Sequence, residues 1–469
     1  MQKDEITNPP NDSERPAQPT RPDESETAAR YRPAPLTYIE SIVRRCIIGI
    51  LVLCIVGSFA YAAGWLSPVT ASSAQIVLTS TLTITSADNS KTFSHYRIST
   101  TNGPCLVING ASNVTIENFN IGPCGSSGNT NAAHGIHISG GSGINVYDSY
   151  IHVETLASGC CDSHDGVLIE GGSTNDTVQG NVVAYSETDI QTFNAANILV
   201  TGNFLLNPQG PFPRGEQIQI GSSSNVTVTN NLALSTPDST LGPAIGTKNS
   251  AAILFGQNDH LNPNNRSQPS DNLSFYKTQF ADVENNYITG GLDALTPFSG
   301  GAQDVSGCGV IVDGDSTTVS NHAIFRNNIL VNTGECGIGI SSGANQTVIG
   351  NKTINLNPNT GGNTADYIWK QYAPPCGPVM LSGNISTLIR SNGYASGYWN
   401  GGGCGPVTCD GSNTHIDSCN TFDYGNGRTA YNLLTPIATK LPPPLIPPAP
   451  KNCVAVSPYT TQTSMARCY

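Results

Sequence analysis

The sequence predicts an all-β fold, a solenoid of parallel coils, and three observations predict it. A short motif recurs between residues 113 and about 392: a β-branched pair, a spacer, an Asn, then another apolar run. NVTIENFNI from Asn113, NILVTGNFLL from Asn197 and NVTVTNNLAL from Asn225 are examples. The candidate strands are short, rich in Val, Ile and Thr, and separated by Gly, Asn and Ser, which are strand and turn signals. Neither a repeated hairpin turn nor a helical apolar stripe accompanies them. Such short strands bury their faces by stacking coil on coil, about 4.8 Å apart, so that like residues line up.

Aligning the motif gives Asn118, Ser149, Asn181, Asn203, Asn231, Asn286, Asn328, Asn351 and Asn392. The short steps cluster between 22 and 32 residues, and the step of 55 reads as two coils, with Ala251–Gly256 (AAILFG) as the strand of the skipped one. An Asn at the same turn of successive coils hydrogen-bonds up the stack, so this column reads as structure. The pattern resembles the right-handed parallel β-helix of the pectate-lyase-like superfamily over roughly residues 75–395. That resemblance implies a single-stranded, right-handed parallel β-helix of about ten coils.

Before the repeat, residues 1–45 are polar and Pro-rich, with seven Lys/Arg and eight Asp/Glu, and read as a disordered tail. Residues 46–66 (CIIGILVLCIVGSFAYAAGWL) hold no charge and are long enough to cross a bilayer as a transmembrane signal-anchor helix. Arg44 and Arg45 precede this span and the next positive charge is Lys91, which places the N-terminus in the cytoplasm and the bulk outside it, periplasmic or on the cell surface. A cleaved signal peptide ending near Ser72-Ser73-Ala74 is the competing reading. A linker over 67–74 leads to the coils, and a cysteine- and proline-rich cap follows over 396–469.

Twelve of the 14 cysteines lie beyond the span, an even number that suits disulfides in an oxidising compartment. The expected pairs are Cys105–Cys124, Cys308–Cys336 and Cys453–Cys468; the middle pair opens the same motif, Cys-Gly-Val/Ile, on two successive coils. The vicinal Cys160-Cys161 stays open between pairing and free thiols. With a net charge of −11 beyond residue 45, the folded part repels nucleic acid. A polyanionic glycan would need bridging Ca²⁺ or a local basic cluster.

The second strand of each coil carries the candidate chemistry. In HGIHISGG from His134, DGVLIEGG from Asp165, TDIQTFNA from Thr188 and EQIQIGSS from Glu216, alternate residues such as Ile136 and Ile138 point inward. His137, Leu168, Gln191 and Gln219 then face outward, with His134, Asp165, Asp189 and Glu216 just before them; Asp189 stands one place out of register. His164, Glu187 and Arg214 adjoin them. The reading takes His164, Asp165, Asp189 and Glu216 as catalytic residues on one exposed groove. It takes His134, His137, Glu187, Gln191, Arg214 and Gln219 as substrate-binding. Turn Asp residues that cap loop N–H groups and solvated loop His residues are the bland alternatives.

Asp162-Ser163-His164-Asp165 resembles the Asp-Pro-His-Asp motif of mannuronan C5-epimerases, with Ser163 in place of Pro and Gly159 where that family has Tyr. The resemblance implies His164 as the base that takes the C5 proton of a uronate, with Tyr185 the nearest stand-in for the missing Tyr. Ser163-His164-Asp165-Gly166, Glu187-Thr188-Asp189 and Gly215-Glu216-Gln217 are similar in order to the motifs of polygalacturonase-type inverting hydrolases, but lack their Asp-Asp pair and third-motif His. That likeness implies two carboxyls working as acid and base. A third variant uses Ca²⁺ held by Asp162, Asp165 and Asp189. The partner in every enzymatic reading is a polysaccharide. A surface scaffold or glycan-binding module without catalysis is the alternative.

Overall fold

The computed structural model describes residues 75–126, 132–154, 164–206, 208, 215–234, 271–289, 308–331, 333, 336–354, 364–389, 395–415, 421–422, 453–455 and 466–468. The tail, the expected span over 46–66 and the linker lie outside them. Among the described residues no helix is long and apolar enough to cross a membrane.

From Ile76 the chain runs through three strands per coil, and each strand pairs in parallel with its counterpart in the next coil. Sheet A has 14 strands, from Ile76–Leu78 to Thr421–Phe422, one of them the off-path antiparallel Ala395–Ser396. Sheets B and C have 11 each, running from Leu82–Thr85 to Tyr398–Asn400 and from Thr92–Ser94 to Val407–Cys409. The result is a three-sided parallel β-helix whose ladders continue past residue 395.

The inward residues stack in columns. In sheet B one column runs Ile108, Ile138, Ile169, Thr192, Ile220, Phe275, all buried. Burying each aliphatic side chain contributes roughly 1.5–3 kcal/mol. Thr192 is the polar exception, and its hydroxyl bonds Ser223 Oγ at 3.1 Å.

The corner from sheet C to sheet A is a fixed two-residue turn. Its first residue has a left-handed φ, as at Asn118, Asp148, Gly180, Gly202, Asn230, Asn285 and Asn327, and Gly, Asn and Asp tolerate that conformation best. Its second residue is Phe119 and Ser149 in the first two of these and, from Asn203 on, an Asn stacked on the Asn before it. In each, Oδ1 accepts both the backbone N–H and the Nδ2–H of the Asn one coil before: Asn203 N and Nδ2 each lie 3.0 Å from Asn231 Oδ1. Nδ2 also donates to a strand carbonyl, Val178 O at 2.9 Å for Asn203. The buried amides are thereby satisfied, as burial requires.

Three details of the alignment change. The column starts at Ser149, whose Oγ accepts Phe119 N–H, so Asn118 stands one place early. It continues through Asn384 and Asn413, and Asn392 lies outside the described residues. The 55-residue step is one coil, not two, because Ile218–Gly221 pairs directly with Leu273–Tyr276 and Asn231 bonds Asn286. The extra length lies between the sheet A strand Leu232–Leu234 and the sheet B strand Leu273–Tyr276; the expected strand Ala251–Gly256 is outside the described residues.

Disulfides join Cys105 to Cys124 and Cys308 to Cys336, with Cα–Cα distances of 5.4 and 4.4 Å. Gly339 makes room for the second, since a Cβ there would lie 2.9 Å from Cys308 Sγ. A third, Cys376–Cys404, was not anticipated although it repeats the 28-residue spacing of Cys308–Cys336. Cys453 and Cys468 face each other in an antiparallel pair; their side chains, and Cys160-Cys161, lie outside the described residues.

Candidate functional site at the corner before sheet B

The coils vary in length mainly where sheet A hands over to sheet B. Ile76–Leu78 is followed after three residues by Leu82–Thr85, and Val182–Ala184 after five by Ile190–Phe193; in others the connection includes 155–163, 209–214 or 235–270, outside the described residues. Backbone register sets the base of this corner. The pairs Val167–Ile136, Val167–Ile190 and Ile190–Ile218 place His134, Asp165, Thr188 and Glu216 in one column. Asp189 falls in the next column, with Gly135, Gly166 and Gln217, as its offset in the sequence implied.

The two columns face different ways. A Cβ on Gly166 would sit 2.3 Å from Val183 Cγ1 and 2.5 Å from Asp189 O, and one on Gly135 2.6 Å from Ile151 Cγ2. This column therefore points into the barrel, and Asp189 points with it. Burial pushes the Asp189 carboxyl well above the usual carboxylate range, and the nearby charge of Asp165 pushes the same way. Backbone N–H groups of Leu206 and Ser186 oppose the rise without making close hydrogen bonds. Asp189 is thus an interior acid whose burial favours the protonated form.

The other column gathers polar groups. His134 Nδ1 lies 3.2 Å from both the amide N and Oδ2 of Asp165. An amide N–H only donates, so neutral His134 accepts from it, and a proton on Nδ1 would turn the contact toward the carboxylate. Glu187 Oε2 accepts the His164 N–H at 3.1 Å, and Glu216 Oε2 the Thr188 hydroxyl at 3.3 Å. Burial, and secondarily the neighbouring His134, lower the His164 pKa from 6.5 to about 4, while a hydrogen bond with the Ser126 backbone opposes the shift. His164 is therefore a neutral imidazole at neutral pH.

His134, His164, Asp165, Glu187 and Glu216 do come together, joined by Asp189 from inside. All are at most 2% exposed, so the exposed groove expected from the sequence is instead a buried corner. His137 is outward and half-buried, its Nε2 2.9 Å from Glu170 Oε1. Gln191 and Gln219 share its outward face one and two coils beyond Leu168, and both are buried. Arg214 and Asp162 lie outside the described residues. Among the described residues no group of three His, Cys, Asp or Glu side chains could hold a metal ion, and Asp189 turns away from Asp165's column.

Sequence reading missed two features. Asp176, before a sheet C strand, is buried and accepts the Ile144 N–H at 2.8 Å, and burial raises its pKa to about 6. A second polar and aromatic group lies toward the C-terminal end of sheet B, around Asp313, Tyr367, Trp369 and Trp399. The alternating aromatics of Tyr367-Ile368-Trp369 were its signal.

Residues 82–266 match the family model "Right handed beta helix region". No curated protein matches the chain. Among solved structures, the Dettilon tailspike protein gp208 is 11% identical, covering 66% of this chain and 55% of its own, with a TM-score of 0.41. The periplasmic alginate epimerase AlgG is 11% identical, covering 66% and 61%, with a TM-score of 0.35. An alginate lyase from Paenibacillus sp. str. FPU-7 is 11% identical, covering 69% and 99%, with a TM-score of 0.38. The chain thus spans less than two thirds of the length of the first two. With three parallel sheets wound from successive coils and that family match, the described chain is a right-handed parallel β-helix.

Proposed function

We propose that this chain acts on a polysaccharide by acid–base chemistry at the corner before sheet B, with His164 as the base. One observation carries the reading: His134, His164, Asp165 and Glu216, drawn from three coils, are buried at a single corner, and His164 there is a neutral imidazole. Burying so many ionisable groups is costly, and such clusters concentrate at functional sites. His164 would take a proton either from C5 of a uronate, leading to elimination or epimerisation, or from a water that attacks the glycosidic carbon. Asp165, against His134, is placed to receive or return a proton. Asp165 and Glu216 stand two coils apart, roughly 9.6 Å along the stack, near the carboxyl separation of inverting hydrolysis.

The same proposal places residues 46–66 in a membrane, with the coils outside the cytoplasm. The uncharged run and preceding arginines support this, as do disulfides in the described part. A glycan-binding module or surface scaffold without catalysis is the second reading, favoured by the near-complete burial of the cluster.

The test is to incubate the full-length protein with uronate polymers and neutral glycans. Ultraviolet absorbance follows elimination, proton NMR epimerisation, and reducing ends hydrolysis. His164→Ala and Asp165→Asn are expected to abolish the signal. Activity should fall as pH drops through about 4, where His164 becomes protonated. Full activity in both variants would refute the site.

A further inference from the structure

The outer face of sheet B changes character along the stack. Around His137, Gln191 and Gln219 it is polar. Toward the C-terminal end one outward column ends Gly339, Tyr367, Trp399, and its neighbour runs Asp313, Ser341, Trp369, Gly401. The three aromatic rings are half-buried. Tyr367 stacks on Trp399 with centroids 4.5 Å apart and planes at 25°, and Trp369 lies 4.2 Å from Tyr367. Trp399 spreads across the second column because Gly401 has no side chain: a Cβ there would sit 2.2 Å from its Cη2. Beside the rings, Asp313 Oδ1 accepts from Ser341 Oγ at 2.8 Å and from the Gly314 N–H at 2.7 Å, and Tyr372 bonds the same carboxyl. Lys277 is engaged by Asp315 and lies 5.0 Å above the Tyr276 ring.

We infer that this face binds a neutral oligosaccharide. Pyranose rings stack on the half-exposed cluster of Trp399, Tyr367 and Trp369, and their hydroxyls reach the half-buried Asp313 and Tyr372, while the buried Ser341 holds Asp313 in place. Aromatic faces carry negative charge density and attract the polarised C–H face of a sugar ring. Flat rings flanked by a few fixed hydroxyl and carboxyl groups make an apolar surface with convergent polar handles. Charge selects the neutral class, because the chain carries −12 overall, Lys277 is already paired, and a single exposed Lys370 after Trp369 does not offset that charge for a polyanion. A ladder that merely closed the end of the stack would be covered, whereas these rings are half-exposed. The inference rests on the reading that the chain handles a glycan and narrows it to an uncharged one, which keeps hydrolysis and drops C5-proton abstraction from the two reactions proposed for the corner.

The chain has three tryptophans, Trp65, Trp369 and Trp399. In the full-length protein carrying Trp65→Phe, indole fluorescence therefore reports on this face alone. Titration with cellohexaose, mannohexaose and xylohexaose should give a saturable change with at least one of them and none with hexagalacturonate. Trp399→Ala should weaken that binding by at least about tenfold, while Trp399→Phe keeps most of it. No saturable change with any neutral hexasaccharide in a protein folded by circular dichroism, equal binding of hexagalacturonate, or unaltered affinity in Trp399→Ala overturns the inference. Binding without turnover counts against the corner chemistry and leaves the aromatic face standing; turnover with no effect of Trp399→Ala on binding does the reverse.

Discussion

Two corners of each coil face the same problem, turning a strand by roughly a third of a circle, and they solve it differently. From sheet C to sheet A the turn is two residues long in nine successive coils, from Asn118-Phe119 to Gly383-Asn384, and from Asn181 on it ends in the buried ladder Asn, whose amide is bonded to the neighbouring coils. From sheet A to sheet B the connection runs from three residues to several dozen, and its base collects His, Asp and Glu. Register needs only one exact corner per coil. Once the ladder supplies it, the other corner is free to vary in length, because lengthening a loop costs little entropy. Insertions and ionisable groups therefore share one edge of the solenoid.

The comparison can be broken most sharply at the ladder. Asn231→Ala removes the acceptor of two N–H groups of Asn203 and the donor to Val200 O. It should destabilise by about 3 kcal/mol in urea unfolding, since buried partners are left unsatisfied. Asn225→Gly, at an exposed left-handed position, should change stability by less than about 0.5 kcal/mol. Equal effects would mean that the ladder does not set the register.

At the variable corner, Gly166→Ala drives a methyl against Val183 and the Asp189 carbonyl, with an expected loss of about 2 kcal/mol. A neutral result would show that the corner's inner column is loose, and with it the placement of Asp189.

Asp176 tests whether buried carboxyls elsewhere behave as Asp189 does. Its folded pKa, about 6, lies above the ordinary 3.8. The fold thus favours the protonated form, and this contribution is fully present below pH 3.8 and is lost as pH rises through about 6. Asp176→Asn should remove that loss, raising stability at pH 8 by about 3 kcal/mol with little change at pH 4. A thermal midpoint that rises equally at both pH values would contradict the burial argument. A small effect belongs to the partly exposed Arg326, which bridges Asp282 and Glu284. Arg326→Met should cost about 0.5 kcal/mol and less in high salt.

Much of the fold was legible because stacking repeats local chemistry. Identical turns demand a left-handed residue followed by an Asn, so the ladder is written at intervals along the chain. Even the one-place offset of Asp189 was readable from TDIQTF against DGVLIE. The 55-residue step misled because an insertion and a missing coil have the same length. Only the pairing of Asn231 with Asn286 separates them.

Sequence alone therefore determined the parallel coils, the alternation of inward and outward residues, and the set of residues that reaches the corner before sheet B, since each follows from period and spacing. Tertiary structure alone decided that this corner is buried, that Asp189 turns inward while Asp165 meets His134, and that Tyr367, Trp369 and Trp399 form one surface. Burial and side-chain direction depend on what the neighbouring coils place alongside, such as the missing Cβ of Gly166 or Gly401, and no single coil carries that information.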